Sequence, residues 1–118
     1  MKQLTTQEIV KHDAGKDFEK IYKGLHQLLS TDKYRLIREN NTLFLVKILK
    51  KGSAHIYTIS ADAPKTILRS MLGCLNAMKK ANYKEIHFDT KEKSLPVFLK
   101  NNGYAIHPLK NNVFVVKL

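Results

Sequence analysis

His55 and Tyr57 stand two residues apart, and so do His87 and Asp89. In an extended chain that spacing puts both members of a pair on one face. An imidazole beside a carboxylate can take up a proton while being held in orientation, and a phenol can give one back. If the two segments are neighbouring strands, His55, Tyr57, His87 and Asp89 ring one cleft, which is the best small-molecule site the sequence offers. The plainer account of the same four residues is a polar strand end facing solvent. His12, His26 and His107 lie apart from them, and none of the five histidines has the close pair spacing of zinc motifs. A single cysteine, Cys74, excludes an internal disulfide and cysteine-based zinc clusters. It falls with Met71 and Met78 on an apolar helical stripe, where packing accounts for it. Ser60 and Ser94 lack the context of a nucleophile elbow. No metal and no resident cofactor are expected from these residues alone.

A second chemistry is carried by charge. The 118 residues hold 21 Lys+Arg against 10 Asp+Glu, a formal net charge of +11. Such an excess suits an acidic partner, and nucleic acid is the commonest one. The candidates for contact with nucleic acid or an acidic protein are Lys65, Arg69, Lys79, Lys80, Lys91, Lys93 and Lys100, around the ends and polar faces of two later helices. Lys65 and Arg69, beside a helix N-terminus, are placed to hold a phosphate. Lysines outnumber arginines 18 to 3, so any nucleic-acid contact would be sequence-independent and salt-sensitive. With no Trp and most aromatic rings on apolar faces, no stacking platform is evident.

The elements that must position these groups follow from periodicity. A short helical turn is expected near Thr6–Lys11, capped by Thr5 or Thr6. A stronger helix runs from about Asp17 to Leu29. Tyr34–Glu39 alternates as a strand, and Asn40-Asn41 suits a two-residue hairpin turn because Asn tolerates positive φ. Thr42–Leu49 is almost continuously apolar, like a strand buried on both faces. Lys50–Ser53 turns the chain into a third strand, Ala54–Ile59. The period then changes: Asp62 is placed to cap a helix whose first turn holds Pro64 and which continues to about Ala81, where Asn82 ends it. A strand over Tyr83–Asp89, a helix over Glu92–Asn102 closed by Gly103, and strands at Tyr104–His107 and Val113–Leu118 complete the chain. The strand–helix–strand passage over residues 54–89 requires a right-handed parallel crossover within a mostly antiparallel sheet. The expected fold class is therefore α/β (α+β), one mixed sheet with helices on both faces, in a single domain over residues 1–118. At 43% hydrophobic the chain can bury a core. No apolar run approaches the ~18 residues of a membrane span, and the first twenty residues have no signal-peptide core.

This order, with Phe98–Tyr104 (FLKNNGY) near the end, resembles the GNAT superfamily of N-acetyltransferases, in which a helix ends in a Gly-aromatic pair before a late strand. Here the pair is Gly103-Tyr104. The resemblance spans nearly the whole chain and implies acetyl-CoA as co-substrate. It departs from the family at two places. The family's Gly-rich loop for the pyrophosphate is replaced by Ser60-Ala61-Asp62-Ala63-Pro64-Lys65, which lacks glycine, loses a donor at Pro64 and brings Asp62 to the phosphate position. Only Lys65 compensates, with Arg69 one turn on. The family's tyrosine acid aligns with Leu99, which has no proton to give. Residues 57–118 are also similar to degenerate acetyltransferase-fold proteins of tailed bacteriophages, through Ser60–Asp62, Phe98-Leu99-Lys100 and Gly103. That likeness implies a non-catalytic structural or interaction protein with a basic surface, partnered by another protein such as a phage structural protein. It would act in the host cytoplasm or inside a virion and would not be secreted. The alternatives are an acetyl-CoA-dependent N-acetyltransferase with a divergent loop and a non-specific nucleic-acid binder.

Overall fold

In the computed structural model, which describes residues 3–118, the chain opens with helix α1 (Thr6–Ala14) and helix α2 (Phe18–Leu29), joined by one 3-10 turn at Gly15–Asp17. Thr5 caps α1 through a reciprocal pair: its hydroxyl accepts from the Glu8 amide at 3.1 Å, and the Glu8 carboxylate accepts from the Thr5 amide at 3.0 Å. Helix α1 runs one turn beyond the expected Lys11 because Gly15, at φ 55°, supplies the turn that ends it.

A meander follows. Strand β1 (Tyr34–Glu39) pairs antiparallel with β2 (Thr42–Lys50), and β2 with β3 (Ser53–Ser60). Asn40 takes φ 55° in the first hairpin and Gly52 φ 80° in the second, as those tight turns need. Thr42–Val46 is buried on both faces. Helix α3 (Pro64–Lys80) then carries the chain to β4 (Glu85–Asp89), which pairs parallel to β3. Pro64 lies at the start of α3, and Asn82, at φ 72°, turns the chain after its end. Helix α4 (Ser94–Asn101) and strands β5 (Ala105–Pro108) and β6 (Val113–Lys117) complete a six-stranded sheet of order β1-β2-β3-β4-β6-β5. All its pairs but β3–β4 are antiparallel.

Two cores lie on opposite faces. On one, α3 and α4 bring Met71, Cys74, Leu75, Met78 and Leu99 onto Phe44, Val46, Ala54, Ile56, Ile86, Phe88 and Val116. Each of the larger side chains contributes about 1.5–3 kcal/mol by leaving water. On the other face Ile9, Val10 and Leu25 of α1 and α2 cover Leu43 and Leu45, with Tyr34, Leu36 and Ile59 alongside. Among the described residues this second core takes nothing from β4, β5 or β6, so half of the sheet on that face is left without a helical cover. Cys74 is fully buried, and burial, with the Glu39 charge adding to it, pushes its thiol up to about 12, which fits packing and not nucleophilic chemistry. Met71 and Met78 belong to the same core.

Asp62 departs from its expected place. The residue capping α3 is Ala63, with no side-chain cap at all. The carboxylate of Asp62 turns instead to the start of β2, where two donors satisfy it.

Candidate functional site

Strands β3 and β4 stay paired only from Ser53↔Glu85 to Ile56↔Phe88. Beyond Ile56 they part, because β3 continues along β2 to Ser60 while β4 ends at Asp89 beside β6. The parting opens a cleft of about 240 Å³ lined by Ile56, Tyr57, Thr58, Met71, Phe88, Asp89 and Leu95. Strand alternation divides that lining. Ile56, Met71, Phe88 and Leu95 belong to the apolar core under α3 and α4, whereas Tyr57 and Asp89 project on the opposite face. The cleft is thus apolar towards one face and polar towards the other.

Of the four sequence candidates Tyr57 and Asp89 line the cleft and His55 and His87 lie beside it, and their pairing differs from the expected one. His55 lies opposite His87 in the parallel register, and it is His55 that meets Asp89, with Nε2 2.9 Å from Oδ1. Nε2 is buried, so Asp89 is a close polar neighbour to a nitrogen that substrate cannot reach. The Asp89 carboxylate itself is 61% exposed. Tyr57 stacks on His55 with ring centres 4.6 Å apart, and the His87 ring centre lies 6.4 Å from that of His55 across the strand pair. His87 turns to Glu85 at 3.4 Å, and Glu85 in turn pairs with Lys117. Burial lowers the His55 pKa below its ordinary 6.5; Asp89 opposes that shift, while His87 and Lys47 add to it. The Lys117 ammonium, with His87 helping, holds the Glu85 carboxyl below its usual range.

At the other end of β3, Ser60 leads to α3 through a closed ring of hydrogen bonds. The Ser60 hydroxyl lies 2.6 Å from the Thr42 hydroxyl, which donates to Asp62 Oδ2 at 2.7 Å. The Asp62 amide donates back to Ser60 Oγ at 3.0 Å, and the Asn41 amide donates to Asp62 Oδ2 at 2.9 Å. The first turn of α3 is left with its positive dipole end, exposed Lys65 and no capping carboxylate, and exposed Arg69 lies one turn on.

The remaining basic candidates do not join them. Lys79 and Lys80 lie in the last turn of α3, about 20 Å along the helix axis from Lys65. Lys91 and Lys93 precede α4, and Lys100 lies in its last turn. Leu99 is wholly buried in the core, so no side chain at that position enters the cleft. His26 packs edge-on against Tyr22 on α2. His107 lies in the same cross-strand row as His55 and His87, with Val115 between. Among the described residues no three His, Cys, Asp or Glu side chains are grouped to hold a metal ion, and no helix is long and apolar enough to cross a membrane.

Sequence periodicity did not single out Thr42, Asn41, Thr58 or the apolar wall of the cleft. The only available signal was position: Asn41-Thr42 follows a turn, and Thr42 is the one polar residue at the head of an apolar strand.

Solved structures with the same arrangement identify the fold. The chain matches the Campylobacter jejuni N-acetyltransferase PseH with a TM-score of 0.63 at 15% identity, over 98% of this chain and 91% of that one. It matches the Thermoplasma acidophilum PaiA N-acetyltransferase, solved in complex with coenzyme A, with a TM-score of 0.55 at 14% identity, over 98% and 81%. A probable GNAT-family acetyltransferase from Chromobacterium violaceum gives 0.60 at 10% identity, over 86% and 67%. No family profile and no curated protein sequence matches the chain. The fold is that of the GNAT acetyltransferases.

Proposed function

We propose that this protein is an acetyl-CoA-dependent N-acetyltransferase acting on a primary amine. The observation that supports it most is the parting of β3 and β4 into a cleft that is apolar towards α3 and α4 and carries Tyr57 and Asp89 towards the open face. PseH has also been solved with acetyl coenzyme A, in a structure that this chain matches with a TM-score of 0.59.

The residues present fit such a co-substrate. The uncapped start of α3, with Lys65 and Arg69, would take the pyrophosphate, and the missing glycines matter less because Asp62 is turned away. Beyond Ile56, β3 has no strand beside it on the β4 side, which leaves that edge to bond an extended, amide-containing arm. Acetyl-CoA would supply the acyl group as a thioester. Asp89, exposed at the cleft, attracts the ammonium of the acceptor; once the amine has lost a proton to solvent and its nitrogen attacks the carbonyl carbon, Asp89 takes the proton that the acylated nitrogen releases as the C–S bond breaks. His55 acts through Asp89 as a positioning residue, since its Nε2 is buried. Tyr57, with its hydroxyl-bearing ring at the cleft wall, replaces the acid that Leu99 cannot be and returns a proton to the departing thiolate. Met71, Phe88 and Leu95 keep water from the apolar wall.

Calorimetry with acetyl-CoA tests this reading, followed by thiol release in the presence of a panel of primary amines. Micromolar binding that is lost in Lys65→Glu is expected. A wild-type protein that ignores acetyl-CoA would overturn the reading in favour of a non-catalytic interaction protein, whose protein or nucleic-acid partner copurification and salt-dependent duplex titration would distinguish.

A further inference from the structure

The end of the sheet away from the cleft is lined with lysine. Lys33 precedes β1, Lys50 and Lys51 turn β2 into β3, and Lys79 and Lys80 end α3. Lys84 precedes β4, Lys100 lies in the last turn of α4, and Lys117 ends β6. All of these side chains are exposed, and backbone contacts gather them. The Lys84 and Glu85 amides donate to Gly52 O at 2.7 and 3.0 Å, so the turn after Lys51 rests on the start of β4. The Asn82 amide donates to Lys79 O at 3.0 Å and the Tyr83 amide to Met78 O at 3.1 Å, which brings the end of α3 to the same place. The Leu118 amide donates to Lys84 O at 2.9 Å, and the Ile48 amide to Lys33 O at 2.8 Å. From β1 to β6 the row crosses four strand spacings, about 19 Å. The helix dipole accounts for Lys79 and Lys80, at the negative end of α3. It does not account for the lysines at strand ends and turns, whose mutual repulsion opposes folding. Of the ten Asp and Glu residues, only Asp32 and Glu85 lie at this end among the described residues. Glu85 is already engaged by Lys117 and His87. At the cleft end, by contrast, Glu39, Asp62, Asp89 and Glu92 offset the cations.

We propose that this lysine end is a docking surface for the phosphate backbone of a nucleic-acid duplex, bound without regard to sequence and independently of the cleft. A duplex carries one negative charge per ~1.7 Å of axis, so a row of about 19 Å meets several phosphates at once. Ammonium groups on flexible stems follow a backbone without the fixed geometry that base reading needs. A protein partner fits less well, because protein interfaces are built on aromatic, Met and Arg anchors and are depleted in lysine. Arg35, beside this end, folds back onto the Asp32 and Tyr34 carbonyls at 3.2 and 2.9 Å. Leu49 is the one large exposed hydrophobic here among the described residues, too little for insertion into a membrane surface. Tyr34, Tyr83 and Tyr104 pack on the two cores, so a single strand finds no rings to stack on. Only Lys79, Lys80 and Lys100 belong to the basic candidates read from the sequence; the others are united by the strand ends. About 13 Å of strand separates Glu85 from Asp89, so duplex and cleft ligand can be held at once.

Fluorescence anisotropy of a labelled, mixed-sequence DNA duplex, titrated with the full chain at several salt concentrations, tests this. Affinity should fall steeply with salt and change little between duplexes of different sequence. Lys50→Ala/Lys51→Ala should reduce the steepness of the log–log salt dependence by about 2 and weaken binding by about 10–100-fold at roughly 0.1 M salt. Lys79→Ala/Lys80→Ala, on a separate element, should do the same, so a folding defect in one pair does not decide the outcome. Lys11→Ala/Lys16→Ala removes the same charge around the end of α1, which the Ser60 amide, donating to Asp13 Oδ1 at 3.2 Å, places towards the cleft end. That variant should keep the wild-type salt dependence. An affinity that ignores salt, or an equal loss in the Lys11/Lys16 variant, would overturn the proposal. So would tighter binding to polyglutamate or to phosphatidylserine vesicles than to the duplex, which would assign this end to an acidic protein or a membrane. Acetyl-CoA affinity should be the same in wild type and both lysine-end variants. A wild type that binds duplex but not acetyl-CoA would count against the function proposed above and support this surface.

Discussion

The two halves of the sheet are built to different rules. Across β1, β2 and the distal end of β3, both faces are covered, by α3 on one side and by α1 and α2 on the other. Across β4, β6 and β5 only the α3/α4 face is covered among the described residues, and the opposite face carries His87, Glu85, Asp89, Lys117 and His107. The covered half contains Leu43, Phe44 and Val46 at 0–1% exposure, whereas every titratable side chain assigned to chemistry lies at the boundary or on the open half. Packing and the proposed chemistry are thus separated along one sheet. A group in the covered half can be removed only at the expense of folding, and a group on the open face can be removed with little structural effect.

Asp89→Asn should break that comparison most clearly. On the proposed acetyltransferase reading, removal of this base should lower acetyl transfer by about 10²–10⁴-fold, while the denaturation midpoint stays near that of wild type because the side chain is largely exposed. Initial rates and urea unfolding on the same sample check both halves of the statement. Phe44→Ala is the converse experiment. The fully buried ring lies under α3, and its loss should cost about 3–5 kcal/mol of unfolding free energy, leaving the chemistry of the surviving folded fraction unchanged.

A smaller effect should sharpen the boundary. Because burial lowers the His55 pKa below 6.5, the folded state favours the neutral ring. Its contribution to stability is present above pH 6.5 and is lost as the pH falls through the lower folded value. Protonation also sets a positive charge beside Asp89, so the acid limb of kcat/KM should lie below pH 6.5. His55→Gln should alter that limb while retaining a measurable rate, and Asp89→Asn should lower the His55 pKa further, since Asp89 is the group that raises it. An NMR titration of the imidazole would check the second statement. The smallest effect is expected at the far edge of the covered half. Thr5→Ala, which removes the cap of α1, should cost about 1 kcal/mol in thermal unfolding and nothing in transfer.

Much of the fold was legible because it is local. The bounds of β1 coincide with the alternation of Tyr34–Glu39, the Asn40 turn has the positive φ that its residue type suggests, and the double-sided burial expected over Thr42–Leu49 holds as far as Val46, before Lys47 interrupts the apolar run. The crossover through α3 was legible for the same reason, as a change of period. Pairing was harder to read. Spacing joins His87 to Asp89, but the Asp89 side chain reaches diagonally across the parallel pair to His55, the register partner of His87. Asp62 misled in a comparable way. Its position before Pro64 has the form of a cap, and only the tertiary approach of Thr42 redirects it. The seven basic candidates, read as one property, divide between the two ends of α3 and the flanks of α4.

The short parallel pairing of β3 with β4 has a further consequence, in the order of assembly. The meander closes through two tight hairpins, whereas β4 reaches β3 only after the whole of α3 has formed a long loop between them, the kind of closure that slows folding. Tyr57 and His55 belong to the early partner and Asp89 to the late one. Docking of β4 is therefore the step that brings the proposed site together, and in refolding the His55–Asp89 contact should form after the bulk of the secondary structure.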